Sequence, residues 1–258
     1  MDLKFISHIQ DPDIEFLLRR IYDLIEITLK NKISTTTEFL NPYEVKVSSD
    51  LVQNFPELNT NISGGYPEAE RKIIRIFPEF RQEKAVEDLV FFRIPNREKD
   101  IKHSDVLGSL LGLGIERKKI GDILIDDDWI QWIVKEEISS FIEFHLSKIN
   151  RYKVKPERIE VNQLKIPKPL FKSKITTVSS LRLDSVISGA FNLSRGNAQT
   201  LIKAELVHVD FRKEMKPSFF LSEGMLISVR GKGRVYFNEI LGKTKKGKVR
   251  ILLSYPEN

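Results

Sequence analysis

The amino-acid sequence predicts an α+β protein in three parts: an N-terminal helical region, a central αβ domain and a basic C-terminal domain. Apolar residues recur at helical spacing near the start, β-like runs bounded by prolines follow, and positive charge is concentrated in the last hundred residues. We assign residues 1–70, 71–161 and 181–258 to the three domains and residues 162–180 to a basic linker.

Composition bounds the class of protein. Of the 258 residues, 41% are hydrophobic and 30% are charged, as is typical of a folded globular chain. The absence of cysteine excludes disulfides and thiolate metal sites. The start has no continuous apolar run and no later run is long enough to cross a bilayer, so we expect a cytoplasmic protein without a membrane partner.

Charge is strongly asymmetric along the chain, although the net charge is only +6. Residues 1–150 hold 20 Lys and Arg against 27 Asp and Glu, whereas residues 151–258 hold 22 against 9. Such a basic module is typical of a protein that meets a polyanion. Charge alone leaves open the alternative of a merely soluble basic surface.

The N-terminal region carries two helix starts. Asp11 supplies an N-cap acceptor and Pro12 suits the first helical position. Asn41–Pro42 repeats this signal for a second helix that ends before Pro56. The turn-forming residues 61–70 then close a small helical domain.

The central region has the period of strands. The runs "RKIIRIFP" and "VEDLVFFRIP" predict strands, "HSDVLGSLLGLGI" a helix capped by Ser104, and Asp126–Asp128 the turn of a hairpin. A helix in "EEISSFIEFHLSKI" and a strand in "PERIEV" complete the order β-β-α-β-β-α-β. This order predicts a ferredoxin-like (RRM-like) αβ sandwich with one additional strand.

The C-terminal domain follows a linker, residues 162–180, whose prolines and lysines bury little surface. Its first helix is predicted from "RLDSVISGAFN", and Ser194 is the predicted N-cap of the second. On that second helix Arg195, Gln199 and Lys203 form a polar stripe without an intervening acid. Because Arg195 opposes the helix dipole, a bound anion would relieve the arrangement, which favours an anion-binding surface.

Three motifs here, "RLD", "NLSRGNAQTLIKAELVHVDF" and "KPSFFLSEGMLISVRGKGR", resemble the S-four RNA-binding domain over roughly residues 180–236. With "SGGYPEAERK", "HSDVLGSLLGLGIERKKIGDI" and "GKTKKGKVRI", the chain resembles YlmH-type proteins over nearly its whole length. The resemblance implies a bacterial RNA-binding factor of the ribosome. The last domain of this chain is similar to small S-four proteins that hold stalled peptidyl-tRNA on the large ribosomal subunit. The resemblance therefore implies rRNA, tRNA and the large subunit as partners.

The predicted RNA-binding residues are guanidinium, ammonium and amide groups of this domain. Guanidinium groups grip phosphate through two oxygens at once, and glycines in "VRGKGRV" allow the backbone to approach a phosphate closely. We predict RNA contacts at Arg182, Arg195, Asn197, Gln199, Lys203, Arg230, Lys232 and Arg234. A secondary cluster that adds affinity and salt sensitivity is predicted at Lys243, Lys245, Lys246 and Lys248.

The RRM-like domain shows no basic-aromatic RNP pattern. We therefore interpret Phe91, Phe92, Trp129 and Trp132 as core and prefer a protein-docking or spacing role for this domain. The guanidinium, ammonium and amide groups of the C-terminal domain fit structured RNA better than single strands, because aromatic side chains suited to base stacking are scarce there.

No catalytic constellation is evident in the sequence. His103–Ser104–Asp105 are neighbours in sequence only, and His8, His103, His145 and His208 lack metal-ligand spacing. Pseudouridine synthases and rRNA methyltransferases also carry S-four domains, but their catalytic companions are missing here. We expect a non-enzymatic RNA-binding protein without cofactor or metal. The alternative is an adaptor that binds a protein through residues 1–161, with RNA contact secondary.

Overall fold

The computed structural model describes residues 11–257, which divide into a unit ending at Pro167 and a unit beginning at Lys168. The first ten residues, which include His8, lie outside the described residues. Within residues 11–257, the search for a helix with the length and apolar character of a bilayer span found none.

Unit 1 opens with two helices packed on a three-stranded antiparallel sheet of order β1-β3-β2. Both helix starts are confirmed: Asp11 Oδ1 accepts the N–H of Asp13 at 3.0 Å, and Asn41 Oδ1 accepts that of Glu44 at 2.9 Å. The elements are α1 (Pro12–Asn31), β1 (Thr35–Thr36), α2 (Pro42–Val52), β2 (Leu58–Ser63) and β3 (Ile73–Pro78).

This sheet corrects two expectations. The first domain was expected to be helical and β3 was expected to open the ferredoxin-like domain, yet β3 pairs with β1 and β2. The reason is packing, since Ile74 and Ile76 of β3 are fully buried in one cluster with Ile21 and Ile25 of α1. The first domain therefore extends through β3.

The ferredoxin-like arrangement is confirmed in the following segment, but without the additional strand. Its four antiparallel strands have the order β5-β6-β4-β9, with two helices in the connections. The elements are β4 (Leu89–Pro95), α3 (His103–Gly112), β5 (Ile120–Ile125), β6 (Trp129–Lys135), α4 (Ser139–His145) and β9 (Glu157–Ile159), with a small hairpin of β7 (Lys148–Ile149) and β8 (Tyr152–Lys153) before β9.

Ser104 does not cap α3, contrary to the prediction. The helix begins one residue earlier, at His103, and Lys102 occupies the N-cap position. Asp105 Oδ2 accepts the backbone N–H of Lys102 at 2.8 Å, so the carboxylate of Asp105 organises this helix start. The acidic turn was predicted correctly, because Asp126 Oδ1 accepts the N–H groups of Asp128 and Trp129, both at 2.7 Å.

Both faces of the ferredoxin-like sheet are covered in the described structure. On one face Phe92 and Trp132 are fully buried in a cluster with residues of α3 and α4. On the opposite face Phe91 and Ile133 pack in a cluster with Phe39 and Ile73 from the first domain. Phe91, Phe92 and Trp132 are thus core, as predicted, whereas Trp129 is only partly buried and has the Arg93 guanidinium 4.3 Å from its ring.

Unit 2 packs two helices on one face of a six-stranded antiparallel sheet of order β10-β15-β14-β13-β11-β12. Its elements are β10 (Phe171–Val178), α5 (Leu183–Ala190), α6 (Arg195–Lys203), β11 (Val207–Val209), β12 (Arg212–Lys213), β13 (Leu226–Val229), β14 (Gly233–Lys243) and β15 (Val249–Pro256). The linker predicted at residues 162–180 is wrong over β10, which pairs with β15 from Phe171 to Val178.

Candidate functional site

A buried carboxylate gathers three of the predicted RNA-binding side chains in unit 2. Asp184, in the first turn of α5, has no solvent-exposed surface. Arg182 Nε and Nη2 donate to its two oxygens at 3.2 and 3.1 Å. Arg195 Nε and Nη2 donate to them at 3.0 and 3.4 Å, and Gln199 Nε2 donates at 2.8 Å. Two helices therefore meet at one carboxylate.

Local sequence explains this convergence. Arg182 is the N-cap residue of α5, and Arg195 is the first residue of α6, whose N-cap Ser194 accepts the N–H of Asn197 at 3.1 Å. Gln199 lies one turn after Arg195 and therefore on the same helix face. The apolar face of α6, with Ala198 and Ile202 fully buried, fixes which side of the helix is turned towards α5.

The electrostatics keep the carboxylate ionised. Burial would raise the pKa of Asp184, but hydrogen bonds from Arg182, Gln199 and Arg195 outweigh it and hold the pKa below the usual aspartate value. The same hydrogen bond raises the pKa of the Arg182 guanidinium. Two guanidinium charges against one carboxylate leave the cluster with a net charge of about +1.

The sequence argument missed Asp184 as the partner of the arginines. The anion inferred for the first turn of α6 is supplied by the protein itself, from eleven residues before Arg195. The "RLD" motif contained the signal, but only helix packing shows that its aspartate reaches across to α6. The Nη1 atoms of Arg182 and Arg195 have no hydrogen-bond partner within residues 11–257, so both remain available to a ligand.

The remaining predicted residues of α6 are exposed. Lys203 lies one turn beyond Gln199, and Asn197 lies in the first turn. The Arg230 N–H donates to the carbonyl oxygen of Leu206 at 2.9 Å, which places the start of the β13–β14 turn close to the end of α6. Arg195 and Lys203 are thus separated by about 12 Å along α6, and the backbone of Arg230 lies near the end of that helix.

Arg234 does not lie on the same surface as Arg195 and Lys203. It pairs with Ser228 across β13 and β14, while its neighbour Val235 is buried in the core under the helices. Because successive strand residues point to opposite sides, Arg234 lies on the sheet face away from α5 and α6, 5.7 Å from the ring of Phe211. Lys232 is exposed in the intervening turn.

The secondary lysine cluster lies at the far end of the β14–β15 hairpin. Thr244 and Gly247 form the tip, where Gly247 N–H donates to Thr244 O at 2.9 Å. The tip lies about 30 Å along β14 from the turn that holds Arg230. Its exposed lysines are Lys243, Lys245, Lys246 and Lys248.

Metal-ligating side chains are not clustered in the described part of the chain. No group of three or more His, Asp or Glu side chains within residues 11–257 is arranged to hold a metal ion. Asp105 is occupied by the backbone of Lys102, as described above for the start of α3.

The fold and the site together define a two-unit α+β protein that joins a ferredoxin-like domain to a unit with an organised cationic surface. Residues 14–79 match a family model described as "YlmH, N-terminal", and residues 86–163 match one described as "Putative RNA-binding domain in YlmH". A Bacillus subtilis (strain 168) protein named "Ribosome-associated protein quality control protein P2" is 36% identical over 218 residues, covering 83% of this chain and 84% of that protein. The chain belongs to the YlmH family.

A solved structure supports the same fold. "Cell division protein ylmH from Streptococcus pneumoniae" has a TM-score of 0.53 and 24% sequence identity, and the match covers 61% of this chain and 96% of that one. The α+β class and the YlmH resemblance are thus confirmed. The S-four identity of unit 2 stays a prediction. The description of residues 86–163 as an RNA-binding domain differs from the protein-docking role preferred from the sequence.

Proposed function

We propose that this protein is a non-enzymatic, cytoplasmic RNA-binding factor that associates with the ribosome through the cationic surface of unit 2. One observation carries the proposal: Asp184 fixes the guanidinium groups of Arg182 and Arg195 and leaves a face of each open. Side chains that are held before binding lose less conformational entropy when they grip a phosphate. A surface of this kind suits the backbone of structured RNA.

The comparisons support the class of partner. The Bacillus subtilis relative is named as a ribosome-associated quality control protein, and the family model over residues 86–163 is described as RNA-binding. Unit 2 adds 17 Lys and Arg against 7 Asp and Glu. We propose the large subunit carrying stalled peptidyl-tRNA as the target, and an S-four type of domain as the means of binding it.

Ribosome co-sedimentation tests the proposal. Arg195→Gln with Lys203→Gln removes two cations, while Arg182 and Gln199 remain as hydrogen-bond partners of the Asp184 carboxylate. We expect co-sedimentation of the full chain to weaken at least about tenfold, because several phosphate contacts act together. The matched control is Lys30→Gln with Lys32→Gln, which removes the same charge from exposed lysines at the end of α1.

Equal co-sedimentation of the two double variants would overturn the proposal. The alternative, an adaptor that reaches the ribosome through a protein bound by residues 1–161, predicts that equality. Loss of binding only in the Arg195→Gln with Lys203→Gln variant would instead support the RNA-binding function of unit 2.

A further inference from the structure

The ferredoxin-like domain of unit 1 presents its exposed aromatic side chains beside its helices, while its sheet is covered. In this fold, RNA is commonly bound on the sheet face opposite the helices, by aromatic side chains that stack on bases. Here that face is occupied. Phe91 packs under Gly65, where an added Cβ would lie only 2.4 Å from the Phe91 ring. Gln131 Nε2 on the same sheet donates to Lys165 O at 2.6 Å.

The aromatic residues that are open to solvent lie on α4. Phe144 is 84% exposed and Phe141 is 43% exposed. The ring of His145 stacks on Phe141, with centroids 4.2 Å apart and planes 30° apart, and it meets Phe144 edge-on, with centroids 4.9 Å apart and planes 71° apart. His145 Nδ1 lies 2.9 Å from the carbonyl oxygen of Phe141, which fixes the orientation of the imidazole ring. Three planar rings thus stand together on the surface, a platform suited to nucleobases.

Positive charge adjoins these rings. Residues 145–155, "HLSKINRYKVK", contain four lysines and arginines and no acid. Lys148 and Lys153 are directly opposite each other in the β7–β8 hairpin. Like charges in opposite positions of a sheet repel each other, and neither ammonium group has an ion pair within the described residues. A phosphate between the two side chains would remove this repulsion.

A groove is lined by one member of each group, His145 of the three rings and Lys148 of the lysine pair. Its volume is about 550 Å³, and it runs between α3 and the segment that follows α4. Its lining mixes polar and apolar residues. Ser104, Ser109 and Asp105 lie on the α3 side and His145, Lys148 and Asn150 on the other, together with Leu113 and Leu146. Asp105, the acid in this lining, is held by the backbone N–H of Lys102. The hydroxyl, amide and ammonium groups in this lining are of the kinds that bind a sugar-phosphate chain.

We propose that this groove binds a single-stranded segment of RNA, with bases stacked on the Phe141–Phe144–His145 platform and phosphates held by Lys148 and Lys153. The site lies wholly in unit 1 and is independent of the cationic surface of unit 2. It gives the ferredoxin-like domain an RNA contact on its helical side. Unpaired bases are required, because only splayed bases can stack on side chains.

The test uses the full chain and a fluorescein-labelled single-stranded RNA of about twelve nucleotides, followed by fluorescence anisotropy at low salt. All variants carry Arg195→Gln and Lys203→Gln, so that the surface of unit 2 contributes little. We expect Phe144→Ala to weaken binding about tenfold, and Phe144→Trp to retain it, because the indole preserves the stacking surface. Lys148→Gln with Lys153→Gln is expected to weaken binding by a similar factor.

Two control variants separate this site from general charge and hydrophobicity. Phe16→Ala removes another exposed phenylalanine, on α1, and Lys30→Gln with Lys32→Gln removes two other exposed lysines. Binding of the single strand by the groove variants at the level of these controls would overturn the proposal. The proposal would also be overturned if the groove variants lost a protein partner but still bound the single-stranded RNA. Failure of the unit 2 proposal is recognised separately, by ribosome co-sedimentation of Arg195→Gln with Lys203→Gln alone.

Discussion

Arg195 Nε lies 3.0 Å from Oδ2 of Asp184, and Asp184 is completely buried while the Arg195 side chain is half exposed. The buried carboxylate of Asp184 therefore holds the partly exposed guanidinium of Arg195 in place. Arg182 is held in the same way from the other side of the carboxylate, at 3.1 Å.

The first prediction concerns Asp184→Asn. The substitution keeps the shape of the side chain but leaves two guanidinium charges facing each other without an anion. Removing one member of a buried ion pair typically costs about 3–5 kcal/mol. Because the arginines are partly exposed, we expect unit 2 to lose about 2 kcal/mol. Faster amide hydrogen exchange in α5 and α6 would measure this loss.

The stability of unit 1 is the control for the Asp184→Asn variant. Both tryptophans, Trp129 and Trp132, lie in the ferredoxin-like domain of unit 1. Their fluorescence during urea unfolding should therefore not change in the Asp184→Asn variant. Wild-type exchange rates in α5 and α6 of the variant would show that the carboxylate does not stabilise the helix pair.

The second prediction concerns pH. The folded-state pKa of Asp184 is lowered, so its contribution to stability is fully present above the ordinary aspartate pKa of ~3.9 and is lost as pH falls through the folded value. The stability difference between wild type and Asp184→Asn should thus be constant near neutral pH and shrink below pH ~4. Urea unfolding followed by circular dichroism measures it. A difference that persists unchanged in acid would contradict this assignment.

The third prediction concerns Asp122, which fastens the loop after β2 to β5. Asp122 accepts the hydroxyl of Tyr66 at 2.8 Å and the backbone N–H groups of Glu70 and Arg71 at 2.7 and 3.0 Å. Burial and the neighbouring Asp122 raise the pKa of Tyr66, so its phenol keeps the proton that it donates. Asp122→Ala should lower the unfolding free energy of unit 1 by about 3 kcal/mol, because two N–H groups lose their acceptor.

Tyr66→Phe is compared with Asp122→Ala, because it removes only one of the three hydrogen bonds that Asp122 accepts. It removes one hydrogen bond and leaves the two backbone contacts, so a cost of about 1 kcal/mol is expected. Tryptophan fluorescence during urea unfolding reads both variants. Equal costs for the two substitutions would mean that the backbone contacts add nothing.

Local signals and long-range contacts explain which elements the sequence could predict. Asp11 and Asn41 identify the starts of α1 and α2 because a cap and its helix are adjacent in the chain. The strand β10 was taken for a linker because its pairing partner, β15, lies some 70 to 85 residues later. As an edge strand it is also mostly exposed, so it lacks the buried face from which strands are recognised.

In the candidate site too, local spacing was predicted from the sequence, whereas long-range contacts were not. The i, i+4, i+8 spacing of Arg195, Gln199 and Lys203 placed them on one face of α6 from sequence alone. The contacts of Asp184 with Arg195 and Gln199 were not predicted, because the approach of α5 to α6 depends on the packed core beneath them. Arg234 was grouped with these residues by its position in "VRGKGRV", whereas strand alternation turns it to the other face of the sheet.

The fourth prediction concerns salt. If the cationic surface that includes Arg182, Arg195 and Lys203 engages about five phosphates, it alone should make the affinity for ribosomal RNA fall about a hundredfold between roughly 50 and 200 mM salt. Replacing Lys243, Lys245, Lys246 and Lys248 by Gln should lower the slope of log K against log salt by about 3, since each phosphate contact adds ~0.7–0.9. Titration of a labelled rRNA hairpin at several salt concentrations measures the slope. An unchanged slope would exclude the hairpin tip from the RNA contact.

The fifth prediction tests the covered sheet face with two glycines of positive φ. Gly65 (φ 95°) and Gly114 (φ 83°) both have the left-handed backbone that disfavours a side chain. At Gly114 an added Cβ meets nothing within 4 Å, whereas at Gly65 it meets the ring of Phe91 at 2.4 Å. Gly114→Ala therefore measures backbone strain alone, about 1 kcal/mol. Gly65→Ala adds the steric clash and should cost about 3 kcal/mol. Tryptophan fluorescence during urea unfolding measures both, and equal costs would show that the loop does not pack on Phe91.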